Sequence, residues 1–157
     1  MRSHSPSEQV LVQLLLEKFD QIIEIIATLP EELSNVRPGI PGGNSPTQLL
    51  MHCCGMMRRW SSTVNLGVAI PRDRAAEFTA NLPTVQALAH ASVVRAEFTA
   101  DLAQTQMQAS PASLPVGRED EFFAQTCQGV LLHVLEELCQ HLGHLEITRD
   151  MLAAGWR

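Results

Sequence analysis

The stretch LLHVLEELCQHLGHLEITRDML (131–152) decides how this chain folds. At about 100° per residue, Leu131, Val134, Leu138, Leu142, Leu145 and Leu152 gather on one stripe, the pattern of a helix that buries one face. Glu136 points the opposite way, into solvent. The flank of the stripe carries His133, Glu137, His141 and His144. Glu137 and His141 are four residues apart, so one turn stacks them on the same side. They edge the apolar stripe at the depth where a bundle holds buried metal ligands. His133, Glu137 and His141 cannot all meet one ion, because eight residues span about 12 Å along a helix axis. A third ligand must come from another helix.

Working outward, the chain reads as helices throughout. A first helix begins at Ser5–Pro6, a cap residue followed by proline. It carries apolar residues at 11, 14, 15, 19, 22, 23 and 26, and Pro30 ends it. A loop rich in Pro and Gly (38–43) follows. A second helix restarts at Ser45–Pro46 and continues to about Leu66, with Leu49, Cys53, Met56, Met57, Trp60 and Val64 on its apolar stripe. His52 flanks that stripe, close to Arg59, and can supply the missing ligand. The connector GVAIPRDRAAEFTANLP (67–83) has room for a short turn. A third helix is expected from about Thr84 to Gln106, and a fourth from about Phe123 to Ala154. No strand-like alternation or internal repeat interrupts the pattern. Four long helices joined by long loops predict a single all-α four-helix bundle domain spanning 1–157, with crossover connections permitted.

Composition limits the functions open to such a bundle. The chain has 157 residues, 45% apolar and 18% charged, ordinary for a globular domain. Aromatics are 4% with no Tyr, so the core must be mainly aliphatic. A net charge of −6 without a Lys/Arg cluster argues against nucleic acid. No apolar run approaches the roughly 18 residues of a membrane span, and the polar start lacks a signal-peptide core. A cytoplasmic location is expected. Lys18 is the single lysine among eleven basic residues, a bias that reads as the codon usage of a GC-rich genome. Cys53, Cys54, Cys127 and Cys139 contain no CxxC spacing and read as small buried apolar side chains in a reducing compartment.

His52, Glu137 and His141 offer three N/O donors with no obvious fourth, the pattern of a catalytic ion with an open position. Zinc suits this set best, and nickel or iron would accept it. The alternative is structural: an isolated core-edge His is commonly a hydrogen-bonded packing residue, and a Glu–His pair four apart a helix-stabilising contact.

The arrangement HLGHLEITRDML, preceded by Glu137 and combined with His52 above Trp60, resembles the DinB-like superfamily over nearly the whole chain. The likeness is strongest to its actinobacterial mycothiol-dependent branch, the maleylpyruvate isomerases and related thiol transferases. The resemblance implies a four-helix bundle of crossed order, a divalent metal on His52, Glu137 and His141, and mycothiol as thiol cosubstrate. Glu137 stands where many superfamily members have His, as in that branch. Met57 departs from the pattern, since an acidic residue is expected five positions after the helix-two His.

The activity implied is attack of a metal-activated thiolate on a small electrophile. His144 or His133 would act as proton carrier, with structural roles as the alternative. Arg59 is a candidate for an anionic group of thiol or substrate, against the reading of a solvated surface arginine. Arg149 falls on the apolar stripe, which calls for a buried acceptor or a site role. The same ligands would serve a metal-dependent hydrolase, and a non-catalytic interaction bundle is the rival from another class. The apolar face of helix one is a candidate homodimer surface.

Overall fold

The computed structural model describes residues 4–157, and the described residues are helical without a strand. Helix α1 (Pro6–Thr28) starts in a capping box: the Ser5 hydroxyl accepts from the Glu8 amide, and Glu8 Oε2 accepts from the Ser5 amide at 2.8 Å. Helix α2 (Pro46–Arg58) repeats the device with Ser45 and Gln48. These are the two cap-plus-proline signals read in the sequence, and both place the helix start as expected.

Past Arg58 the helix does not stop. It widens into a π-helical stretch, Arg59–Leu66, and ends at Gly67, whose φ of 71° closes the chain in the left-handed region. The expected end at Leu66 therefore holds, but residues beyond Arg59 turn out of the 100° register. The connector holds a one-turn helix, α3 (Arg74–Glu77), capped by Asp73. Helix α4 spans Thr84–Gln104 and α5 spans Cys127–Ala153. Both differ from expectation at one end. Helix α4 stops two residues short of Gln106, where Thr105 turns extended. Phe123 lies in a separate 3-10 turn (Phe122–Gln125), and Thr126 then caps α5 through the Gly129 amide.

Helix α1 packs on α5 and α4, and α2 packs on the same two. Around the bundle the order is thus α1, α4, α2, α5, with the consecutive helices α1 and α2 facing across a diagonal. The long loops serve this crossed order. One continuous core draws Leu15, Phe19, Ile22 and Ile26 from α1, Leu49, Leu50, Cys53, Met56 and Met57 from α2, Ala87, Ala91, Val94 and Phe98 from α4, and Val130, Leu131, Val134, Leu138 and Leu145 from α5. Met57 is fully buried there, so its position has no room for a functional carboxylate. Cys139 is exposed, contrary to the expectation that every cysteine is a packing residue. Arg149 needs no buried acceptor: it lies half-exposed and donates to neighbouring Asp150 at 2.8 Å.

The loop after α1 fixes the connector. Glu31 Oε1 accepts the first amide of α4, from Thr84, at 3.0 Å. Asn35 Nδ2 donates to the Leu82 carbonyl, and Arg37 donates to the Phe78 carbonyl at 2.9 Å. These bonds hold residues 77 and 78 against the end of the bundle where His52 lies.

Candidate metal centre

The site forms where α2, α5 and the connector meet. His52 and Glu137 and His141 place one donor atom each within 4.8 Å of one another. Glu137 Oε2 is 3.9 Å from His52 Nε2 and 3.8 Å from His141 Nε2. The two imidazoles meet edge to face at 4.6 Å. The helix spacing of 137 and 141 and the reach of His52 across the α2–α5 contact thus assemble as the sequence reading expected.

The second partner of His52 lies outside that reading. His52 Nδ1 is 2.9 Å from Glu77 Oε2, with both side chains buried. Arg72 grips the same carboxylate twice, at 2.6 and 2.9 Å. Burial pushes the Glu77 carboxyl up, but the hydrogen bonds from Arg72 and His52 outweigh it and hold it below the usual range. Ionised Glu77 can only accept, so in the neutral imidazole of His52 the proton sits on Nδ1. That leaves the Nε2 lone pair aimed at Glu137. Phe78 stacks on the ring at 4.8 Å and fixes its plane.

Glu137 is held in a similar way. The adjacent His141 imidazole is the largest influence lowering its carboxyl, against the upward push of burial, with the charges of His133 and His52 assisting. At 3.8 Å the His141 contact is electrostatic rather than a hydrogen bond. The other carboxylate oxygen, Oε1, is 3.3 Å from His133 Nε2. His133 itself stacks on Phe123 at 4.1 Å and meets the edge of Trp60 at 5.3 Å. It therefore backs Glu137 and does not join the three-donor cluster, as the axial spacing requires.

These donors fit a divalent ion. Two donors about 2.1 Å from one ion stand no more than about 4.2 Å apart. The 3.8 and 3.9 Å separations satisfy that limit, and a small ring rotation closes the widest one. The His–carboxylate pair behind the ligand is the arrangement that orients metal-binding histidines.

The cluster opens on a cavity of about 610 Å³, a size that suits a small-molecule ligand. His144, Arg59, Arg118, Trp60 and Gln140 line it with the three donors. His144 is pushed below its ordinary pKa by burial and by the His141 charge, so it is neutral at pH 7. Arg59 lines the cavity and is half-buried. Cys53 and Cys54, beside His52, are raised far above the usual thiol range by burial. Neither is therefore available as a thiolate beside the cluster.

Fold and site define a helical bundle of the DinB-like kind with a His/Glu/His cluster able to hold a metal. Within that class the chain belongs to the mycothiol-S-transferase family, whose sequence profile matches residues 10–154. No curated protein matches the sequence. The family implies a thiol substrate such as mycothiol. No helix among the described residues is long and apolar enough to cross a membrane.

Proposed function

We propose that the protein is a divalent-metal-dependent thiol S-transferase that joins mycothiol to a small electrophile in the cytoplasm. The observation that carries this reading is the three-donor cluster on the wall of the cavity, with Glu77 holding His52 through Nδ1 so that the neutral ring presents Nε2 to the cluster. His52, Glu137 and His141 would hold the ion, zinc by preference and nickel or iron as substitutes. A divalent ion with an open position supplies Lewis acidity, lowering a coordinated thiol from its free pKa of about 8.5.

The chain's own residues supply the rest. Neutral His144 accepts the proton that leaves the thiol. The sulfur forms a bond to the electrophilic carbon, and the leaving group departs with its bonding pair. His144 then releases the proton to that group or to solvent. Trp60 and Phe78 wall the cavity with apolar surface that excludes water from the thiolate. Glu77 is a positioning residue, acting through His52. Free, exposed Cys139 suits a reducing compartment.

The test is mycothiol-dependent consumption of chlorodinitrobenzene by zinc-loaded protein, beside His52→Ala. Thioether product formed by the native protein and lost in the variant supports the proposal. Thiol-independent consumption would identify a hydrolase, and no turnover with metal bound would leave a bundle with a structural ion.

A further inference from the structure

The eleven basic residues of this chain are few against a net charge of −6, yet Arg59, Arg72, Arg74 and Arg118 all line the metal cavity. Two of them are matched. Arg72 grips Glu77, and Arg118 lies 3.3 Å from Glu121 while covering the Trp60 ring. The other two are not. Among the described residues the Arg74 guanidinium meets the Phe78 ring, 5.5 Å from its centroid, and the Arg59 guanidinium makes neither a hydrogen bond nor an ion pair. Its guanidinium nitrogens keep access to the water of the cavity and stand open to a charge-assisted partner. An anionic ligand would supply what Arg59 lacks.

Arg59 also has a second neighbourhood. Together with Arg72 it borders a smaller cavity of about 260 Å³ between α2, α4 and the connector. Met51, Ile70, Pro71, Ala76 and Val94 give that cavity one apolar wall, and its polar side holds the ion pairs Arg58–Glu97 and Arg72–Glu77 with Asp73 and His90. Arg59 therefore stands at a junction, with the metal ligands on one side and an apolar recess on the other. The π-helical stretch begins at this residue, which turns it out of the regular α2 register.

We propose that the electrophile is an anion with an apolar body, its carboxylate or sulfonate seated on Arg59. The body fills the smaller cavity, and the reactive carbon is presented on the metal side. This assignment rests on the thiol-transferase reading for the reaction, but the recognition it describes is a binding property of Arg59 and the recess.

The test is calorimetric titration of the metal-loaded protein with 2-naphthoate and with its neutral isostere 2-naphthamide. A charge-assisted bond to Arg59 predicts that the acid binds at least about tenfold more tightly. Arg59→Met should reduce that ratio to near one. Ala76→Phe, placed on the exposed wall of the recess, should weaken naphthoate several-fold with its helical circular dichroism unchanged. The same titration of the native protein freed of metal should give the same naphthoate affinity. Equal binding of acid and amide overturns the proposal, as does failure of naphthoate to bind. Affinity kept in Arg59→Met but lost when the native protein is freed of metal also overturns it, because the carboxylate would then sit on the metal. None of these results touches thiol-dependent turnover, which the chlorodinitrobenzene assay reads separately.

Discussion

Gly55→Ala should weaken metal binding although residue 55 touches no metal ligand. Gly55 lies three residues after His52 on α2, under the Glu77 carboxylate. A Cβ there would overlap Glu77 Oε1 and stand 2.9 Å from its Cδ and 3.1 Å from Arg72 Nε. Ordinary carbon contact is about 3.5–4.0 Å, so the carboxylate must withdraw by roughly 0.6–1.1 Å. The 2.9 Å contact to His52 Nδ1 would stretch beyond hydrogen-bond range. Losing the partner behind a ligating histidine costs about 10–100-fold in metal affinity, or about 1.4–2.7 kcal/mol. The helix itself gains, since Ala is about 1 kcal/mol better than Gly in a helix interior. The assay is zinc competition against a chromophoric chelator, with urea unfolding of the metal-free protein alongside. In a Glu77→Ala background the same substitution should cost no further affinity and should stabilise the fold by about 1 kcal/mol. Native zinc affinity in Gly55→Ala, or a loss that simply adds to that of Glu77→Ala, would refute the argument.

Two further outcomes follow from the charge and burial of the site. Folded Glu77 and Glu137 titrate below the unfolded value of about 4.3, so between the two values the folded state binds fewer protons. Their stabilisation is complete above about pH 4.3 and is lost as pH falls through the folded values. Glu77→Gln should flatten this acid limb in urea titrations of the metal-free protein, and an unchanged limb would count against it. Among the free thiols, exposed Cys139 should react promptly with a disulfide reagent, whereas Cys53 and Cys54 should stay protected until denaturant is added. Prompt labelling of either buried residue would contradict their placement.

The bundle was legible because its signals are local. Ser5–Pro6 and Ser45–Pro46 cap two helices on their own, and the leucine stripe of 131–152 declares its buried face by period alone. The pair Glu137 and His141 was legible for the same reason, since helix geometry fixes their relation. His52 was reachable as a flank residue of a second stripe. Glu77 was not, because its contact with His52 spans 25 residues and depends on Arg37 and Asn35 pinning the connector. A clue was present even so. Met57 left His52 without a carboxylate on its own helix, and the connector 67–83 offers only Asp73 and Glu77 as acids. Arg59 was legible beside His52 as a candidate for an anionic group, whereas its second contact, with the smaller cavity, was not, since a wheel at fixed pitch cannot follow the π-helical change of register that begins there. Arg149 misled for a simpler reason. A wheel position says where a Cα lies, whereas a long side chain near the helix end reaches back to solvent and Asp150.

The most direct measurement of the central claim is metal content by mass spectrometry, for the native protein and for His52→Ala and Glu137→Ala, after zinc, nickel or iron has been offered. The account predicts about one equivalent in the native protein and its loss in both variants. No bound metal in the native protein, or full occupancy retained in either variant, would contradict it.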